Sequence, residues 1–488
     1  MASSWTSDYV VIGGGTAGCI LASRLSELPG RSVTLIEAGP DFVSESAVPR
    51  QLRLIERISL RHDWDFVSEP EPFLGTKRIR LPRGKMVGGS SRLHLGLALE
   101  PAPADFDQWP HAASPGWAWS DVAPYFERVR ESGLIPHLRS RKAWSETQRA
   151  FFESSLAAGF GETATTSDGV GVMACPVAEE RGMRVNAAAV YLTPEVRARP
   201  NLRILSDTLV ASVAFESNRA HQVSSWNSAQ EELCVEASRG VVLAAGAIGT
   251  PTILQRSGIG DGASLRTLGI NVLRESSAVG KNLQDHPLAV VEVPTRDGVL
   301  LTPDHVFDVL LKASSGTNGV DPDLHLLARS VLPGRRRQQR APFVRFLVAL
   351  MRPRSSGSVT ITSRNPMTPP SIQLNYLSDP QDKTLLEAGL STLNSVVSQP
   401  ALAALLRPSE AALAFSSVTV TTYQHAVGTC RMGLIPETSV VNQQCLLHGF
   451  ENLWIGDASL MPRIPAVNTL LTTAMLAERV SQFIAESG

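Results

Sequence analysis

Three glycines and one glutamate carry the first chemistry legible in this chain. Gly13, Gly15 and Gly18 follow the apolar run Tyr9 to Ile12 and precede the helical spacing of Cys19, Ile20, Leu21, Ala22 and Leu25. A second apolar run, Val33 to Ile36, ends at Glu37, about 20 residues past the glycines, the distance expected for a ribose-binding carboxylate. The order reads as strand, turn, helix, strand. Such a unit binds a dinucleotide. The glycines permit a tight turn and close backbone approach, and the helix N-terminus, opened here by Thr16 and Ala17, faces a pyrophosphate. Glu37 can accept hydrogen bonds from a ribose diol. The fingerprint alone leaves NAD and FAD both open.

The elements that must hold this unit come from distant parts of the chain. Short apolar runs recur at Gly240 to Ala245 and Leu453 to Ile455, the latter leading into Gly456 and Asp457. They predict one parallel sheet assembled from separated segments. Asn468 to Ala485 carries apolar residues at three and four residue spacing, which predicts an amphipathic helix with Asn468 as its cap. Between about Leu288 and Tyr423, alternating stretches such as Ser358 to Thr362 and Ser371 to Leu377 lie among Pro-rich turns. They predict an inserted antiparallel domain.

Composition narrows the function classes. The 488 residues, 43% hydrophobic and 19% charged, can bury a large core and exclude disorder. Lys and Arg total 45 against 46 Asp and Glu, a net charge of -1, so no long-range field attracts nucleic acid or anionic lipid. No run of about 18 apolar residues predicts a membrane span, and the N-terminus lacks a signal-peptide pattern, so a cytoplasmic location is expected. Five scattered cysteines indicate neither a disulfide framework nor a zinc site, and no metal is expected. An isolated disulfide is the one pairing left open. Arg335, Arg336, Arg337 and Arg340 read as a solvated basic loop.

Longer motifs settle the cofactor by resemblance. Gly84 to His94 (GKMVGGSSRLH), with Asp105, Phe106 and Asp107 beyond, resembles the first signature of the glucose-methanol-choline (GMC) oxidoreductases. Gly246 to Gly260 (GAIGTPTILQRSGIG) resembles the second, and Gly280 to His286, His425 to Gly433 and Gly456 to Pro462 are similar to further family motifs. The resemblance implies FAD and an α/β and α+β architecture. A Rossmann-like FAD-binding domain is expected over 1–140, 190–288 and 440–488, with an antiparallel-sheet substrate domain over 141–189 and 289–439. Carried over by motif, Gly13 to Gly18 would hold the pyrophosphate, Glu37 the ribose and Val210 the adenine. Met86 to Leu95, including Gly88, Gly89, Ser90 and His94, would run beside the isoalloxazine. Gly456, Asp457, Asn468 and Thr469 would complete the cofactor site.

The same resemblance implies His425 and Asn468 as the catalytic pair. Alcohol oxidation needs a base for the hydroxyl proton while hydride leaves the carbinol carbon, and neutral imidazole, with an ordinary pKa of about 6.5, suits that task. An amide can orient the hydroxyl and stabilise alkoxide charge without titrating. The expected substrate is a primary alcohol, aromatic or allylic in the branches this chain is similar to, and oxygen or another electron acceptor completes turnover. His94 departs from the Asn usual in the first signature. Leu93 and Arg92 stand where relatives attach FAD through His, so non-covalent FAD is expected. Hydroxynitrile lyases and fatty-acid photodecarboxylases of the family are the alternatives, His425 arguing against the latter, and a non-catalytic flavin-binding protein is a third.

Overall fold

The computed structural model describes residues 1–488 except 1–2, 45, 56–60, 108, 110–114, 135–136, 164–168, 305, 317–321, 333–341, 408–413 and 488. The arginine-rich loop at 335–340 lies outside the described residues.

The fingerprint folds as expected: β1 (Ser3–Ile12), α1 (Thr16–Leu25) and β2 (Val33–Ile36). β1 starts at Ser3 instead of Tyr9, because Ser3 to Ser7 pair in parallel with Leu233 to Ala237. Gly13 turns the chain at φ +101, where a Cβ would lie 2.6 Å from Ala244 O; at Gly18 a Cβ would lie 1.8 Å from Gly13 O. The first permits the turn and the second lets α1 pack against the chain leaving β1.

The first sheet has seven strands, in spatial order Leu202–Leu205, β2, β1, Glu232–Leu243, Arg219–Asn227 and Thr208–Glu216, with Leu453–Ile455 also paired to Glu232–Leu243. The strands around β1 run parallel, and β2, Leu453–Ile455 and the segments Tyr9 to Ile12 and Gly240 to Leu243 are buried, which is why those segments read as continuous apolar runs. The closing helix, Leu470–Glu486, packs on α1. Its N-cap is Thr469 with no side-chain bond, so Asn468 is not the cap that the helical spacing predicts.

The second sheet has six antiparallel strands, in order Thr419–Thr422, Pro287–Pro294, Phe343–Leu350, Leu324–Val331, Val309–Ala313 and Gly171–Ala174. The helices Glu146–Ala157 and Pro380–Val397 cover it. Gly357–Thr360 and Ser371–Gln373 pair beside it in a small separate sheet. Ala178, Ala187 and Ala188, and also Val427, Cys430 and Met432, pack in the first core. For the latter group the cause is backbone pairing: Gly428, Cys430 and Met432 donate to the carbonyls of Ala458, Ser459 and Leu460. All five cysteines are free thiols, and no described helix is long and apolar enough to cross a membrane.

Candidate active site

A cavity of about 510 Å³ runs from the start of α1 to the seam between the two sheets. Gly13, Gly15, Thr16, Ala17, Glu37, Gly89, Ser90, His94, Val210, Asp457, Asn468, Thr469 and His425 all line it. Gly18, Met86, Gly88 and Gly456 do not, and sit behind the wall. Met86 is buried among Val48, Leu52 and Leu93, while the N–H groups of Gly88 and Gly456 donate to Gly14 O and Leu243 O. Close approach at these positions is chain against chain.

At one end the cavity suits a dinucleotide. No side chain caps α1, so its first N–H groups face the space beside Gly15, where no heavy atom lies within 4 Å of a Cβ position. Glu37 spans two turns: Oε2 accepts from Gly14 N at 2.7 Å and Oε1 from Gly39 N at 3.0 Å. Burial pushes its pKa up to about 7 against those bonds. Asp457 accepts from Gly246 N, Thr250 Oγ1 and Ser459 N, which fixes the loop after the last strand of the first sheet. The donor set and the open helix end fit FAD.

At the other end lie two histidines and an amide. His425 Nδ1 is 2.8 Å from His286 Nδ1, and His425 Nε2 is 3.1 Å from the Asn468 amide nitrogen. An amide nitrogen only donates. His425 Nε2 therefore accepts, its proton sits on Nδ1, and that N–H is donated to His286. His286 accepts at Nδ1, which leaves its own proton on Nε2. Both rings are neutral: burial first, then neighbouring positive fields, hold His425 well below the usual 6.5, and burial takes His286 down to about 3. His94 Nδ1 accepts from Gly96 N at 2.8 Å, which leaves its own proton on Nε2.

Asp285 ties the histidines in place. One carboxylate oxygen accepts from both His286 N and His425 N, at 2.8 and 2.7 Å. The other accepts from Tyr376 Oη at 2.7 Å and from Thr422 Oγ1, and the positive charge of Arg83 faces the group. The chemistry of this end thus includes Asp285, His286 and Tyr423, whose ring centroid lies 4.5 Å from that of His425. The motif Gly280 to His286 was the signal for the first two. Nothing in local spacing pointed to Tyr423.

Comparison with known proteins follows the same division. Residues 7–288 and 353–477 match the N-terminal and C-terminal parts of the GMC oxidoreductases. The chain belongs to the GMC oxidoreductase family. It is thus an FAD-binding oxidoreductase of a family that acts on alcohol groups. It is 31% identical to an uncharacterized GMC-type oxidoreductase of Mycobacterium tuberculosis, over 98% of this chain and 99% of that one. It is 30% identical to an oxygen-dependent choline dehydrogenase of Escherichia coli, over 98% and 95%. Among solved structures, pyridoxine 4-oxidase from Mesorbium loti superposes with a TM-score of 0.87 at 26% identity, covering 98% of both chains. A formate oxidase gives 0.86 at 21% identity, over 100% of this chain and 99% of that one.

Removing the Asp285 carboxylate should orphan four donors and withdraw one of the two carboxylates, Asp285 and Asp63, that face the buried Arg83 charge. Asp285→Ala is expected to cost about 3 to 5 kcal/mol of unfolding free energy. Asp285→Asn retains an acceptor for the two backbone N–H groups and should lose less. Denaturant unfolding of both variants checks this, and equal losses would contradict the tie.

Proposed function

We propose that this enzyme oxidises a primary alcohol, aromatic or allylic in its body, to the aldehyde, with His425 as the base. FAD, held without a covalent bond, supplies the acceptor for the carbinol hydride. Gly13, Gly15, Thr16, Ala17, Glu37, Val210, Asp457 and Thr469 are the residues that would hold it, with Gly89, Ser90 and His94 along its reactive part. Leu93 and Arg92 offer no attachment nucleophile of the histidine type.

The observation that carries this reading is the tautomer imposed on His425. With Nδ1–H committed to His286, the lone pair on Nε2 faces Asn468. An alcohol hydroxyl that replaces their direct contact donates its proton to Nε2 and accepts from the Asn468 amide. As the O–H bond breaks, the amide N–H and the new Nε2–H both stabilise developing alkoxide charge. The carbonyl bond forms as hydride leaves the carbinol carbon. An electron acceptor completes turnover.

The environment of His425 revises the pH dependence expected from an ordinary imidazole. The competent form is neutral, and the folded protein holds the His425 pKa well below 6.5. Flavin reduction by a saturating alcohol should therefore be flat from about pH 6 upward and fall only in more acidic solution. Anaerobic stopped-flow reduction across pH measures it, and an acid limb centred near 6.5 would contradict the burial argument. His425→Ala should slow the same step by roughly 100 to 10,000-fold with flavin content near wild type. Reduction at the wild-type rate would remove His425 from the role. Acid precipitation should release free FAD into the supernatant; yellow protein pellets would show a covalent bond, with His94 the first position to test.

A further inference from the structure

Leu95, Leu97, Leu288, Phe307 and Leu347 line the cavity with Tyr423, and these six side chains belong to one apolar cluster at the seam of the two sheets. The cluster lies on the side of the cavity away from Glu37 and the start of α1.

Among the described residues that line the cavity, the carboxylates are Glu37 and Asp457. Glu37 lies at the α1 end, accepting from Gly14 and Gly39, and Asp457 is satisfied by Gly246, Thr250 and Ser459. Carboxylates packed behind the apolar wall are matched as well. Asp308 pairs with Arg139 at 3.0 Å, Asp105 with Arg352 at 2.8 Å, and Asp304 accepts from the backbone and hydroxyl of Ser330. Arg83 also lines the cavity, and its positive field disfavours a second cation there. Asp285 does not line the cavity; its charge is opposed by that of Arg83, and its oxygens are bonded to four donors. The Arg329 guanidinium stands over the Phe307 ring at 5.9 Å and the Lys85 ammonium over the Trp64 ring at 4.8 Å, so both rings already face a cation, while the Tyr423 ring packs on His425 with centroids 4.5 Å apart.

We infer that the substrate is an uncharged alcohol with an apolar body, and that quaternary ammonium alcohols of the choline type are rejected although the chain resembles choline dehydrogenases in sequence. This rests on the alcohol-oxidation reading. A trimethylammonium group placed against these leucines would lose its hydration without gaining a counter-charge. A tert-butyl group of the same shape would gain from burial.

Choline and its carbon isostere, in which tert-butyl replaces trimethylammonium, differ in charge at nearly constant shape. Anaerobic reduction of the FAD-loaded enzyme should be measured with each, and with benzyl alcohol as an aromatic member of the neutral class. The reduction rate constant divided by the apparent dissociation constant is expected to favour the carbon isostere over choline by on the order of 100-fold. A value for choline equal to or above that for the isostere overturns the inference and leaves alcohol oxidation standing. Failure of every neutral and cationic alcohol to reduce the flavin overturns the oxidation reading, and the inference with it.

Discussion

The carboxylate of Asp285 is the constraint on which the rest of the site depends. The two histidines of the site come from chain segments 139 residues apart, and a short Nδ1 to Nδ1 contact between them needs both backbones held to a fraction of an ångström. A single carboxylate oxygen bonded to both backbone N–H groups does this. Its burial raises the cost of ionisation, which four donors and the Arg83 charge offset in part. Once the backbones are fixed, the tautomer of His425 follows from the Asn468 amide on one side and His286 on the other.

This arrangement explains why the amphipathic pattern of the last helix misleads at its first residue. An Asn directly before a helical run ordinarily caps it. Here Asn468 lies one residue before the Thr469 N-cap, is 6% exposed and turns its amide to His425. A tertiary hydrogen bond has displaced a local one. The helix therefore starts without a side-chain cap, behind the residue that the chemistry requires.

Much of the fold was legible because parallel strands buried on both faces must be continuously apolar and the fingerprint glycines must sit between strand and helix. Glu37, His94, His425 and Asn468 all line one cavity. The sequence could not say which glycines meet a ligand and which meet the chain itself: Gly15 faces open space, whereas Gly18 is crowded by Gly13 O. Nor could it reveal the partner of His425, since a hydrogen bond across 139 residues leaves no local spacing. The apolar wall was invisible for a similar reason. Leu95, Leu288, Phe307 and Leu347 are ordinary core residues by pattern, and only the packing of two sheets brings them beside a base.

The central claim is that His425 presents an unprotonated Nε2, its proton being held on Nδ1 by His286. Long-range proton to nitrogen correlation NMR on protein labelled with nitrogen-15 histidine distinguishes the two tautomers directly, with the His425 signals assigned by their loss in His425→Gln. At neutral pH, the chemical shifts of His425 should show a protonated Nδ1 and an unprotonated Nε2 with a lone pair. A proton on Nε2, or an imidazolium carrying both, would contradict the account.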